Sequence, residues 1–289
     1  MSNFSEIENN QNSRRNFIKT TSVLAGFCLL NCDTLALPAK APKIDRALDD
    51  ENIISGKVKF KSGDGEIDAF LSRPSKKGRY PIVIVVSGNT YDEEYIQNMT
   101  AKLAQENFIG ISPNIFSLQK DTMTPDEKRK VFVEQITDER IFQDLQAAIN
   151  YLLEQNFSKK KKIGITGFCF GGRCALMFAA QNKQIAAVVP FYGNLKTPEF
   201  ANRKQDPVDI VSKIKVPVQG HYALNDNEIP FAQLKKFEAD LLKQGTAAEM
   251  FTYDAPHGFF AYTRKSYNAA AAQLSWQRTA VFFKKVLKN

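Results

Sequence analysis

A thiol at the tip of a sharp turn is the first candidate for chemistry in this chain. Residues 162–172 read Lys-Ile-Gly-Ile-Thr-Gly-Phe-Cys-Phe-Gly-Gly. Ile163 and Ile165 alternate with smaller residues, as in a buried strand, and the run from Cys174 to Ala180 then switches to a helix-compatible pattern. Between them the spacing is Gly-x-Cys-x-Gly-Gly around Cys169, a nucleophile elbow with cysteine where serine usually sits. A residue on such a turn is held in a strained backbone conformation, and neighbours without Cβ let two backbone segments cross closely. The turn lifts the thiol off the sheet and aims it at the start of the next helix, where the dipole favours a thiolate. Taken alone, the pattern fits a buried structural cysteine in a glycine-rich loop equally well. Its partners decide.

A cysteine nucleophile needs an imidazole, and the chain holds only His221 and His257. His257 follows a β-rich run, Phe251-Thr252-Tyr253-Asp254-Ala255-Pro256, and opens a loop with Gly258 and Phe259. That is a position after the last predicted strand. His221 closes the apolar segment 214–220 and reads as structural. Five residues on, Asp226 lies just past a strand end and can orient the histidine ring. Asp209, Asp240 and Asp254 are rival acids; Asp254 is too near His257 in sequence to sit on a separate strand end. The chain order Cys169, Asp226, His257 is the order of an α/β-hydrolase and differs from chymotrypsin-like and subtilisin-like orders.

These residues resemble the dienelactone hydrolase family, the carboxymethylenebutenolidase-like members of the α/β-hydrolase fold, over roughly residues 53 to 288. Gly167 to Gly172 is similar to the family's elbow, Asp226-x-x-Ile229-Pro230 to its acid loop, and Tyr253 through Phe259 to its histidine loop. Val189-Pro190-Phe191-Tyr192-Gly193 and the C-terminal segment from Tyr267 to Phe283 add weaker matches in the right order. The resemblance implies a Cys169–Asp226–His257 triad. It also exposes a departure. The family places a glutamate after the strand Ile82–Val86 that interacts with the resting thiol, and by register Gly88 stands there in this chain. The backbone N–H of Asn89 is still expected to be one oxyanion donor, with that of Phe170 as the other. Glu93 and Glu94 read as favourable charge at a helix N-terminus. Tyr192, Arg173, Arg264 and Tyr267 are candidate substrate contacts, with core packing the rival reading for Tyr192 and local carbonyl capping for Arg173.

The expected reaction is attack of the thiolate on an ester or lactone carbonyl, then hydrolysis of a thioester by water that His257 activates. The substrate is a small ester or lactone. A thioesterase or short-peptide hydrolase on the same fold is an alternative, as is a binding protein that has lost turnover.

With 289 residues and 43% hydrophobic content the chain can bury one large core. The net charge is +8, but no basic run interleaves with aromatics, and the longest cluster, Lys159 to Lys162, precedes a strand. Nucleic-acid binding has no support in that pattern. No His/Cys/Asp cluster has zinc spacing, and no phosphate-binding glycine motif occurs, so no metal or cofactor is implied.

Residues 1–41 are set apart as an export leader. Ser13-Arg14-Arg15-Asn16-Phe17-Ile18-Lys19 looks like a twin-arginine signal, followed by an apolar stretch from Val23 to Leu30 that is too short to span a bilayer. Ala39-Lys40-Ala41 is an acceptable cleavage site. The expected partner is the twin-arginine export machinery and the expected location the periplasm. A lipid anchor on Cys32 is a weaker reading, because Asn31 is bulky where a small residue is wanted. With Cys28 and Cys32 in the leader, Cys169 and Cys174 remain in the mature chain, too close along an elbow to bridge. Cys174 reads as core.

Residues 42–52 form a linker and 53–289 the catalytic domain. Its pattern is α/β. A hairpin around Ser62-Gly63-Asp64-Gly65 leads into strands near 82–86, 108–112, 162–166, 186–190, 216–220 and 249–253. Helices are expected over 92–105, 231–243 and 269–287, with continuous helical patterning from Pro125 to Glu154. Alternating strands and helices predict a mostly parallel sheet covered on both faces, with no large cap domain. The loop from Asn194 to Asp209 is expected to lie over the site.

Overall fold

Gly63, at φ +59°, turns the chain between β1 (Ile53–Ser62) and β2 (Gly65–Pro74), which pair antiparallel along their whole length. The computed structural model describes residues 46–88, 93–198 and 203–288. The strands that follow are β3 (Ile82–Val86), β4 (Ile109–Pro113), β5 (Ile163–Phe168), β6 (Ile185–Phe191), β7 (Val218–Asn225) and β8 (Ala248–Pro256). They form one eight-stranded sheet in the order β1-β2-β4-β3-β5-β6-β7-β8. Only the β1–β2 and β2–β4 pairings are antiparallel; the rest are parallel. A central parallel strand is covered on both faces and so reads as a continuous apolar run. β3 (Ile-Val-Ile-Val-Val) is such a run, with every residue fully buried.

The helices are α1 (Glu94–Gln105), α2 (Pro125–Glu134), α3 (Asp138–Glu154), α4 (Phe170–Ala179), α5 (Phe231–Lys243) and α6 (Ala269–Leu287). From β3 the chain steps one way through α1 to β4, then returns the other way through α3 to β5. Right-handed crossovers in opposite directions put α1 and α3 on opposite faces. The C-terminal α6 shares the α1 face, where Phe283 packs against Phe108 and Lys102 lies over the Trp276 ring. The reversal also leaves β3 and β5 adjacent, and in open α/β sheets ligands bind beyond the carboxyl ends of strands at such a switch point.

The continuous helical patterning from Pro125 to Glu154 resolves into two helices. Thr124 opens α2 with a reciprocal capping box to Glu127. Ile136 then drops into the core, and Thr137 caps α3 by accepting the Arg140 N–H at 3.2 Å. The seventh strand also runs beyond the expected 216–220 segment, to Asn225. His221 therefore lies inside it, fully buried, with its ring nitrogens against Tyr253 Oη at 2.8 Å and Thr279 Oγ1 at 2.9 Å. Burial holds its pKa well below the usual range, so His221 is a neutral core residue. Among the described residues, no helix is long and apolar enough to cross a membrane.

Candidate active site

Cys169 sits between the end of β5 and the first residue of α4, with φ +53° and ψ −122°. A side chain at positive φ with that ψ is strained, and the contacts around it show what holds it there. A Cβ on Gly171 would collide with the carbonyl oxygens of Val86 and Ser87, and one on Gly172 would stand 2.7 Å from Gly193 Cα. The start of α4 is thus wedged between the loops that leave β3 and β6. Gly88 belongs to the same junction: a Cβ there would lie 3.4 Å from Cys169 Cβ. Phe170 occupies the first helical position, where a backbone N–H has no intrahelical acceptor. Its ring is buried against Phe132 and the Arg203 guanidinium. Asn89, the other expected donor, lies outside the described residues.

Asp226 begins the loop after β7. Its side chain is 1% exposed and is held from both ends. Oδ1 accepts the backbone N–H groups of Glu228 (2.8 Å) and Ile229 (3.2 Å), while Oδ2 meets His257 Nδ1 at 2.7 Å. His257 leaves β8, and its ring is braced edge-on by Tyr192 at a centroid distance of 4.9 Å. Burial works against a charged ring, but the hydrogen bond to Asp226 and the adjacent Cys169 sulfur outweigh it and push the His257 pKa up to about 10. Nε2 closes no hydrogen bond among the described residues. It points toward the sulfur: Cys169 Sγ, an imidazole nitrogen of His257 and a Glu228 carboxylate oxygen all lie within 4.8 Å of one another. Such contacts are often loose without substrate and tighten when it binds.

Two members of this cluster escape a reading of the sequence. Glu228 places Oε2 3.8 Å from His257 Nε2, and Asn194 bridges it to the thiol, donating from Nδ2 to Glu228 Oε2 (3.2 Å) and accepting from Cys169 Sγ at 3.8 Å through Oδ1. A carboxylate thus reaches the site from the acid loop. The Asp-Asn-Glu run was the only local signal. Nothing in sequence ties position 194 to position 228.

The candidate substrate contacts separate on inspection. Tyr192, at φ +37°, is 2% exposed and packs on His257 and Phe259, so it steadies the imidazole from within the core. Arg173 is a correction. It is fully buried, clasping both carboxylate oxygens of Asp138 at 2.8 Å, Asp206 at 3.1 Å and the Gln205 carbonyl. No substrate carboxylate can reach it. Arg264 pairs with Glu93 at 2.5 Å and lies beside the Tyr95 ring, while Glu94 binds Arg46 and the Tyr262 hydroxyl. Tyr267 is half-buried against Tyr262, and among the described residues no contact links it to the sulfur or the imidazole. Cys174 is fully buried, and burial pushes its thiol up to about 12.

Comparison with known proteins gives the family. The chain is 31% identical over 276 residues to a carboxymethylenebutenolidase-type protein of Methylorubrum extorquens, covering 94% of this chain and 92% of that one. A Bradyrhizobium protein named as a 2-oxo-3-(5-oxofuran-2-ylidene)propanoate lactonase is 30% identical over 219 residues, 75% of this chain and 88% of its own. The crystal structure of a dienelactone hydrolase-type protein of Klebsiella pneumoniae superposes with a TM-score of 0.75 at 31% identity, covering 81% of this chain and 99% of that one. Residues 67–287 match the model of the dienelactone hydrolase family. With its α/β-hydrolase sheet and this match over most of its length, the chain belongs to the dienelactone hydrolase family, whose members are carboxylic ester and lactone hydrolases.

Proposed function

We propose that this protein is an exported cysteine hydrolase that opens lactones and cleaves small carboxylic esters through Cys169, His257 and Asp226. The observation that carries the reading is the chain of contacts from the Asp226 carboxylate through the His257 ring to a sulfur on a strained elbow. In this mechanism Cys169 Sγ, its proton passed to His257, attacks the carbonyl carbon. The oxyanion is received at the N-terminal amides of α4, beginning with Phe170, and at the loop after β3, where Asn89 follows Gly88. Each such donor typically lowers the barrier by ~2.7–4 kcal/mol. His257 then gives its proton to the departing alkoxide as the carbonyl re-forms, leaving a thioester. Water, deprotonated by the same ring, adds to the thioester and releases acid and free thiol.

A ring that holds a proton at neutral pH pairs with a Cys169 thiolate and is set to give that proton to the departing alkoxide, and the raised His257 pKa supports that assignment. Substrate preference follows from leaving groups. In the tetrahedral intermediate a thiolate competes well with an amine and poorly with an enolate or activated alkoxide, so esters and enol lactones are favoured over amides.

Export rests on Arg14-Arg15 with Phe17, Lys19 and the apolar stretch behind them, all outside the described residues. Hydrolysis of p-nitrophenyl acetate by wild type but not by Cys169→Ala or His257→Ala, with a mass increase on Cys169 when candidate lactones are trapped, tests the chemistry. Equal inertness of wild type and Cys169→Ala would favour a binding protein. Loss of the protein from the periplasmic fraction on Arg14→Lys/Arg15→Lys replacement tests the export route.

A further inference from the structure

Cys169, Glu228 and His257 offer one sulfur, one oxygen and one nitrogen donor within 4.8 Å of one another. His257 Nδ1 is engaged by Asp226, which leaves Nε2 as the free nitrogen, 3.8 Å from Glu228 Oε2. Zinc binds thiolate at about 2.3 Å and imidazole or carboxylate at about 2.0–2.2 Å, so tetrahedral nitrogen and oxygen donors stand roughly 3.3–3.6 Å apart. The nitrogen–oxygen pair, at 3.8 Å, is a few tenths of an ångström wider than that, and the exposed Glu228 side chain can close the gap. The surroundings suit a metal as well. A ligating imidazole donates its other N–H to a carboxylate, as His257 can to Asp226, and a ligating carboxylate is itself hydrogen-bonded, as Glu228 is by Asn194 Nδ2 at 3.2 Å. Asp226 also fixes the Glu228 backbone through its N–H, while the Glu228 side chain is 55% exposed and opens the cluster to solvent. A mixed sulfur, nitrogen and oxygen set suits Zn²⁺ and excludes magnesium and calcium, which need oxygen ligands throughout.

We propose that Cys169, His257 and Glu228 form a three-ligand site for a zinc-class divalent cation, with the fourth position open to water. Binding replaces one proton, which leaves the thiol–imidazole pair for solvent, and forms metal–sulfur, metal–nitrogen and metal–oxygen bonds with no change of oxidation state. Because the metal caps the sulfur that the proposed hydrolase uses as nucleophile, occupancy and turnover exclude each other; that last consequence alone rests on the function proposed above. Glu228 is what distinguishes this cluster from a bare cysteine–histidine pair.

The test uses the full chain with Cys28→Ser and Cys32→Ser, so that only Cys169 and the buried Cys174 remain. Metal-free protein is titrated with Co²⁺, read by its thiolate-to-cobalt charge-transfer band, and with Zn²⁺ against a chromophoric chelator. One equivalent is expected to bind, with the band absent in Cys169→Ala. Affinity should fall by at least about tenfold in Glu228→Gln, the lower bound even for an outer partner of a ligand. The exposed side chain makes folding of that variant safe. A wild type without the band, a band that survives in Cys169→Ala, or Glu228→Gln binding as tightly as wild type would each overturn the site. Zinc should also stop ester hydrolysis, and EDTA restore it. A protein that binds zinc as described yet is inert to esters in EDTA upholds the site and removes the hydrolase reading; an active protein indifferent to zinc does the reverse.

Discussion

Asp226 holds Glu228 and His257 with different oxygens: Oδ1 accepts the Glu228 backbone N–H at 2.8 Å, and Oδ2 meets His257 Nδ1 at 2.7 Å. One buried carboxylate therefore sets both the ring and the loop that faces it. Asp226→Asn keeps the shape of the side chain but can present a donor where an acceptor is needed. The expected result is a fall in kcat of up to ~10⁴-fold with KM little changed, as when the orienting carboxylate of a triad becomes an amide. Steady-state kinetics on p-nitrophenyl acetate measures it.

The raised His257 pKa ties stability to pH. The folded protein keeps this proton up to about pH 10, whereas an unfolded histidine releases it near 6.5. The native state thus binds more protons in that window, and stability falls as pH rises through it. His257 contributes fully below about pH 6.5, and its contribution disappears on passing about pH 10. Urea midpoints of wild type and His257→Ala in EDTA should differ most near pH 6 and converge toward pH 10. A gap that widens with pH would contradict the assignment.

The fold was legible wherever local chemistry determines local shape. The glycines around Cys169 demanded a tight crossing, and the structure supplies it at Val86, Ser87 and Gly193. The apolar run of β3 and the bounds of α5 and α6 stand where the pattern put them. The break at Gln135–Thr137 was hidden because apolar residues continue through it, Ile136 simply serving the core from a turn. Asn194 and Glu228 were invisible for another reason: their meeting with the thiol depends on three loops converging, and no spacing encodes that. Arg173 misled because a residue next to an elbow can face the cleft or the core, and only the positions of Asp138 and Asp206 decide between them.

Arg173 accordingly supports structure rather than recognition. Removing one member of a buried ion pair leaves the other charge unpaired, at a cost of about 3–5 kcal/mol. Arg173→Ala should lose stability on that scale in urea. Below its unfolding transition, its preference between anionic and neutral esters should match that of wild type. A selective loss of anionic substrates would return the residue to substrate binding.

Cys169 and Cys174 differ in reach. Cys169 is partly exposed and Cys174 is not, and burial also disfavours the Cys174 thiolate. Iodoacetamide at mildly alkaline pH should modify one of them in the native protein and both in urea, with peptide mapping placing the native adduct on Cys169.

Gly171 tests the elbow itself. Gly171→Ala drives a methyl group into two backbone carbonyls that have no rotamer to yield, so a loss of about 1–3 kcal/mol is expected, the scale of overpacking a filled core. Chemical denaturation measures it. A variant as stable as wild type would mean that the β3 and α4 backbones can part without penalty.

That wedge also sets where the enzyme can diversify. With the backbone at Cys169 clamped between the β3 and β6 loops, the reacting atom is a fixed origin, and only the rim around it is free to vary. Libraries randomised at Asn194 and across 227–230 should stay folded while changing ester preference, whereas libraries at 167, 171 and 172 should yield mostly insoluble protein.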